Sequence, residues 1–232
     1  MAEQAATLVG AVRLTPSVLL LEVEPQGPPV IAFRAGQFIS LRCDEAGDVR
    51  RSYTILSSPS RPGCIELLVK LVPGGAASEL LAGLAPGAVL HFTGPLGFFV
   101  NDAAHHGDVV HIATGAGIAA TLPLVTDALG RERERVTLLW GLLAADTPYL
   151  VERLAALPTE RLQCERILAP SWPAVHALLA ARVTELHSTL AAPTFYLAGN
   201  GDMTRTLRTL LVERGIDRRK SIRTEIFYPH EE

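Results

Sequence analysis

The chain has 232 residues, 48% of them hydrophobic and 19% charged, enough for one large or two small globular domains with a full core. A net charge of -3 gives no basic footprint for nucleic acid, and no apolar run is long enough to span a membrane. The opening Met1-Ala2-Glu3-Gln4 lacks the basic-then-apolar pattern of a signal peptide, so a cytoplasmic protein is expected. Cys43, Cys64 and Cys164 are scattered and odd in number, which makes neither a disulfide framework nor an iron–sulfur spacing. Any electron carrier must then be organic or belong to a partner.

The first hundred residues read as β structure. Apolar and β-branched runs at 8–12, 18–23, 38–41, 53–56, 65–71 and 89–92 are separated by turns rich in Gly and Pro, at 25–29, 61–63 and 85–87. Short strands at that spacing predict a sandwich or closed barrel. One helix interrupts them, at 78–84, with Ser78 as its expected N-cap. Beyond residue 107 strands and helices alternate: strands at 109–113, 136–140, 162–168, 195–198 and 222–226, and helices near 118–129, 148–156, 173–190 and 202–214. That alternation predicts a parallel sheet with helices on both faces. The polar stretch 101–107 marks the boundary, giving domains 1–104 and 105–232.

Four segments carry chemistry. Arg51-Ser52-Tyr53-Thr54 offers a guanidinium fork for a diphosphate, a flat ring for stacking and a hydroxyl for a ring nitrogen. Val72-Pro73-Gly74-Gly75-Ala76-Ala77-Ser78 is a glycine-rich turn entering a helix, a natural anion site, or else a flexible turn before a capped helix. Thr114-Gly115-Ala116-Gly117-Ile118-Ala119-Ala120 fits G-x-G-x-x-A in a strand–turn–helix setting, yet no acidic residue ends the next strand, read as finishing Leu139-Trp140-Gly141-Leu142. Its glycines serve either a phosphate or packing. Gly199-Asn200-Gly201-Asp202-Met203 is a second such turn, expected beside the first at the carboxyl ends of the strands. The histidines show no ligand spacing, so no metal is expected. The cluster Arg214, Arg218, Arg219 and Lys220 is a solvated helix end or a dock for an acidic redox partner.

Taken in order, these segments resemble the ferredoxin–NADP(+) reductase superfamily. Arg51-Ser52-Tyr53-Thr54 is similar to its Arg-x-Tyr-Ser/Thr flavin motif, 74–78 to its diphosphate loop, and Gly94-Pro95-Leu96-Gly97 to the turn ending its barrel. Thr114-Gly115-Ala116-Gly117-Ile118-Ala119 is similar to its pyridine-nucleotide loop and Trp140-Gly141 to its aromatic-Gly pair. Gly199 to Met203 matches its Cys-Gly-x-x-x-Met segment, and Glu225-Ile226-Phe227 its terminal Glu-x-Phe. The resemblance implies a six-stranded antiparallel FAD-binding barrel followed by a doubly wound NAD(P)-binding domain.

It also implies roles. Arg51, Gly74, Gly75, Ala76, Ala77 and Ser78 would hold the FAD diphosphate, with Ser52, Val69, Lys70 and Val72 alongside. Tyr53 would meet the flavin ring or ribityl chain, and Phe227 or Tyr228 its other face. Thr54 would orient flavin N5, and Glu225 would position the nicotinamide or relay a proton. Thr114, Gly115, Ala116, Gly117, Trp140, Gly141, Ser171, Gly199, Asn200, Gly201 and Met203 would hold NAD(P)H. Ser171 is followed by Trp172 where the family often has an Arg for a 2′-phosphate, so Arg182 or Arg166 would take that part. Ala198 replaces the family cysteine and Ala120 a proline.

The expected activity is FAD-dependent NAD(P)H oxidation. Hydride passes to flavin N5, and single electrons go on to a separate ferredoxin, flavodoxin or oxygenase component. The alternatives are a reductase that releases reduced flavin, a flavin-carrying subunit of a larger complex, and a degenerate module without flavin.

Overall fold

The computed structural model describes residues 2–27, 31–44, 49–61, 63–131 and 135–227. Its contacts divide the chain into two units, Met1–Val100 and Asn101–Glu232. The first unit is a six-stranded antiparallel sheet of β1 (Gln4–Thr15), β2 (Val18–Pro25), β3 (Phe38–Arg42), β4 (Arg50–Thr54), β5 (Ile65–Lys70) and β6 (Val89–Leu96), in the order β4-β3-β6-β1-β2-β5. Alternation of side chains across each strand sends Leu8, Leu21, Ile39, Leu41, Leu67 and Phe92 into one core.

The two edge strands of this sheet, β4 and β5, meet at a single point. Ile55 bridges Leu67, and the Leu56 amide donates to the Glu66 carbonyl at 2.8 Å. That antiparallel register would next pair Thr54 with Leu68 and Tyr53 with Val69, but no ladder continues there. The barrel is therefore zipped at one end of the seam and open along Arg50–Thr54. The β4 strand lies earlier than the expected 53–56, because Arg50, Arg51 and Ser52 pair with Arg42, Leu41 and Ser40 while Ile55 leaves to form the bridge.

The single helix of this unit, α1 (Ala76–Gly83), also begins earlier than expected. Gly75 is its N-cap, and Ser78 lies inside the first turn. The Ser78 hydroxyl accepts from the Val72 amide at 2.9 Å, so it closes the preceding loop instead of capping the helix.

The second unit is a five-stranded parallel sheet of β7 (Val109–Thr114), β8 (Val136–Leu143), β9 (Leu162–Ala169), β10 (Thr194–Asn200) and β11 (Ile222–Phe227), ordered β11-β10-β7-β8-β9. The wholly buried run of β7 is what a parallel sheet covered on both faces requires. A 3-10 turn (Gly115–Gly117) leads into α2 (Ile118–Leu129), and α3 (Val151–Ala155), α4 (Trp172–His187), α5 (Gly201–Glu213) and α6 (Arg218–Ser221) follow. After β9 the chain crosses back to lay β10 beside β7. That reversal is a topological switch point, and open α/β sheets bind ligands beyond the carboxyl ends of the strands at such a point. Helix α6 was not anticipated. It is one short turn capped by Asp217, whose Oδ1 accepts from the Arg219 and Lys220 amides at 2.8 and 3.0 Å. None of the described helices is long and apolar enough to cross a membrane.

Candidate cofactor and nucleotide sites

In the first unit the open seam gathers most of the residues nominated for FAD. Arg51, Ser52, Tyr53 and Thr54 form one lip; Val69, Lys70 and Val72 belong to the other, which runs on into the loop at Gly74 and Gly75 and the start of α1. Arg51 is half-buried, and its Nη1 donates only to the neighbouring Arg50 carbonyl at 2.9 Å. Among the described residues no carboxylate pairs with it, so the guanidinium keeps donors for an incoming anion. No side chain caps α1, which leaves the first-turn amides of Ala76, Ala77 and Ser78 without a side-chain acceptor. A cation and a row of unclaimed amides form a donor set that fits a diphosphate.

The side chains of the seam are not equivalent. Tyr53 packs partly on the barrel core, and burial pushes its phenol well above the ordinary tyrosine range. Thr54 is buried and Ser52 exposed. The Val69 side chain points wholly into the core, so only its backbone can meet a ligand; this corrects its nomination as a side-chain contact. Lys70 is exposed, with Nζ 2.7 Å from Ser17 Oγ.

In the second unit the two glycine turns abut across neighbouring strands. Ala113 of β7 is in register with Ala198 of β10, and Thr114 Oγ1 accepts from the Asn200 amide at 2.9 Å. A Cβ on Gly199 would lie 2.6 Å from both Thr114 oxygens, at a φ of +119° that side chains avoid. The two turns differ at their helix starts. Asn200 Oδ1 accepts from the Asp202 and Met203 amides at 2.8 and 3.2 Å, so α5 is capped by its own chain. Neither Thr114 nor Gly117 caps the helical run of Gly115, Ala116 and Gly117. The β7 turn is thus the one with amides to offer a phosphate.

Several nominated nucleotide contacts prove to be supports. Trp140 is fully buried, donates through Nε1 to the Gly115 carbonyl at 3.0 Å and stands edge-on to Tyr149, so it braces the turn from beneath. Gly141 is also buried; a Cβ there would lie 2.5 Å from Val175, which makes it a seat for α4. Met203 is fully buried in the core with α4 and α5. Ser171 caps α4, its Oγ accepting from the Ala174 amide at 3.4 Å. Gly201 is buried at the start of α5.

Arg182 is corrected as a phosphate ligand. It sits in the third turn of α4, ten residues past the first, about 15 Å along the helix. There it is held by Glu165 at 2.8 Å and Glu185 at 3.0 Å. Arg166 is exposed three residues short of the β9 end. Trp172, by contrast, reaches the site: a Cβ on Gly115 would lie 3.6 Å from its ring. That contact joins residues 57 positions apart, so nothing local in the sequence announces it.

On β11, Glu225 is in register with Ala198, and burial alone pushes its carboxyl above the ordinary glutamate range. Phe227 ends the strand half-buried, and Tyr228 lies outside the described residues. Ala198 is fully buried. The cluster Arg218, Arg219 and Lys220 precedes the start of β11, at the sheet edge opposite the glycine turns.

Comparison with known proteins agrees with this architecture. Residues 5–100 match the model of the oxidoreductase FAD-binding domain. Ferredoxin–NADP reductase B of Sorangium cellulosum is 31% identical over 218 residues, which cover 88% of this chain and 89% of the relative. The reductase subunit of an aromatic O-demethylase from Amycolatopsis is 36% identical over 154 residues, 64% of this chain and 44% of that longer protein. A solved ferredoxin NADP+ reductase from Neisseria gonorrhoeae superposes with a TM-score of 0.81 at 22% identity, over 97% of this chain and 99% of that one. The fold and its donor sets define a two-unit flavoprotein oxidoreductase. The chain belongs to the ferredoxin–NADP(+) reductase superfamily and uses FAD with NAD(P)H.

Proposed function

We propose that the β4–β5 seam holds the FAD diphosphate, that the β7 turn holds the dinucleotide phosphates of NAD(P)H, and that electrons leave to a separate carrier of an oxygenase system. Bound FAD supplies the chemistry, taking hydride from the nicotinamide and releasing electrons singly. The protein supplies grip and orientation. Arg51 and the α1 amides clamp the diphosphate, Ser78 fixes the loop that presents those amides, and Tyr53 offers ring surface. Thr54 orients the reactive edge of the flavin. The amides of Gly115 and Ala116 take the phosphates, and Trp140 holds that turn in place. Glu225 positions the nicotinamide, as does Phe227. The acceptor reading rests on relatives such as the Amycolatopsis reductase subunit, of which this chain spans less than half. Three unpaired cysteines accord with a cytoplasmic setting.

One observation carries the assignment: the only lip-to-lip opening among the described strands of the barrel unites Arg51 with an uncapped helix start. The visible spectrum tests it. Purified protein is expected to be yellow and to bleach on anaerobic addition of NADH or NADPH. Colourless protein that reduces added flavin would instead establish the flavin-releasing alternative. Arg51→Ala is expected to weaken FAD affinity at least ~10-fold, the scale of losing a charge-assisted hydrogen bond. Equal FAD retention by wild type and variant would remove the clamp.

A further inference from the structure

Strand β8 runs past Gly141 to Leu143, and its end is pinned. The Ala144 amide donates to the Ala169 carbonyl at 2.8 Å, and the Asp146 amide donates back to the Leu143 carbonyl at 2.9 Å. This tight turn sets Asp146 at the carboxyl end of the strand that neighbours β7. Through-space contacts tie it to the phosphate turn. The Asp146 charge acts on the Tyr149 phenol; Tyr149 stands edge-on to Trp140 with ring centroids 5.0 Å apart; and Trp140 donates to Gly115. In doubly wound folds, a carboxylate at the end of the strand after the glycine turn is placed to meet the adenosine ribose.

The charges around this edge all bear on the same question. Among the described residues no cation pairs with Asp146. Arg205, in the first turns of α5, is held by Asp202 at 2.6 Å. Arg153 in α3 is itself engaged, and Arg182 is spent on Glu165 and Glu185. His176 lies next to Trp172, ring centroids 6.2 Å apart. Burial holds it below the ordinary histidine range against the opposing pull of Asp202, so it carries no charge at neutral pH. The edge offers a free carboxylate and no free cation.

We propose that Asp146 accepts a hydrogen bond from the 2′-hydroxyl of the adenosine ribose and repels a 2′-phosphate, so that the enzyme selects NADH over NADPH. This deepens the assignment of the β7 turn to the dinucleotide and rests on it. A carboxylate set against a phosphate costs several kcal/mol, ample for selection.

Binding of NAD+ and NADP+, and of 5′-AMP and 2′-phospho-AMP, is measured by calorimetry on the flavin-loaded protein, with kcat/KM for both reduced nucleotides alongside. Wild type is expected to favour the form without 2′-phosphate by ~30-fold or more. Asp146→Asn keeps a hydrogen-bonding side chain without the charge. It is expected to tighten NADP+ and 2′-phospho-AMP at least ~10-fold and to leave NAD+ within ~3-fold. Asp146→Ala is expected to weaken NAD+ as well. A wild type that binds both forms equally, or an Asp146→Asn variant whose preference does not move, overturns the role of Asp146 while nucleotide binding stands. A wild type that binds neither form, or whose affinity is untouched by Gly115→Val, overturns the β7 turn and Asp146 together.

Discussion

The turns that follow β7 and β10 look alike on paper and do different work. Both are glycine-rich, both join a strand to a helix, and they touch through Thr114 Oγ1 and the Asn200 amide. After β10, Asn200 satisfies the first amides of α5, and Gly199 is there because Thr114 leaves no space for a side chain. After β7 no side chain caps the helical run, and a Cβ on Gly115 would meet nothing closer than 3.6 Å. One turn is a staple and the other an opening. A glycine motif therefore marks close backbone approach, and the state of the helix cap tells whether the approaching backbone is ligand or protein.

That contrast can be broken most sharply at the glycines themselves. Gly199→Ala forces a Cβ against Thr114 at a positive φ and is expected to cost about 3 kcal/mol or more in urea unfolding, well beyond an ordinary substitution. Gly115→Ala is expected to cost only about 1 kcal/mol, the left-handed penalty, while weakening nucleotide binding. Equal losses of stability would erase the distinction. Asn200→Ala sharpens it on a smaller scale. Loss of the α5 cap is expected to cost about 1 kcal/mol by the same unfolding measurement, with NAD+ affinity changed less than twofold. A large fall in affinity with intact stability would make Asn200 a ligand instead of a cap.

The smallest effect concerns Glu225, on the strand beside the staple. Its carboxyl titrates above the unfolded value because of burial. The neutral form is favoured by the fold, so its stabilisation is complete below the unfolded pKa and is lost as pH rises through the folded one. Glu225→Gln stays neutral throughout. It is expected to melt above wild type at neutral pH, with the gap closing at about pH 4. A gap that widens on acidification would place the carboxylate in a favourable ion pair instead.

The strand pattern was legible because inward and outward residues alternate so cleanly in β2 and β3, and the β7 turn because its glycines fall between an apolar run and a helix. Pattern fixes where a residue stands along the chain but not which way its side chain points. Val69, Trp140 and Met203 fell at positions the resemblance marked for ligands, and all three face the core. Arg182 was nominated for its charge, yet Glu165, seventeen positions earlier on β9, had already claimed it. Ser78 read as a cap because it is a serine before an apolar run, whereas Gly75 starts the helix and Ser78 ties down Val72. Asp146 was passed over because β8 continues two residues beyond Gly141, so the carboxylate falls later than the expected strand end.

The half-zipped barrel has a bearing on how the protein is made. Past the Ile55–Leu67 bridge, β4 and β5 each present raw strand edge with no neighbouring strand. Such edges recruit strands from other chains. A dinucleotide laid along the gap would act as the missing stave, so a newly synthesised chain in flavin-starved cells is expected to aggregate, and riboflavin supplementation to raise the soluble yield without any change in the polypeptide.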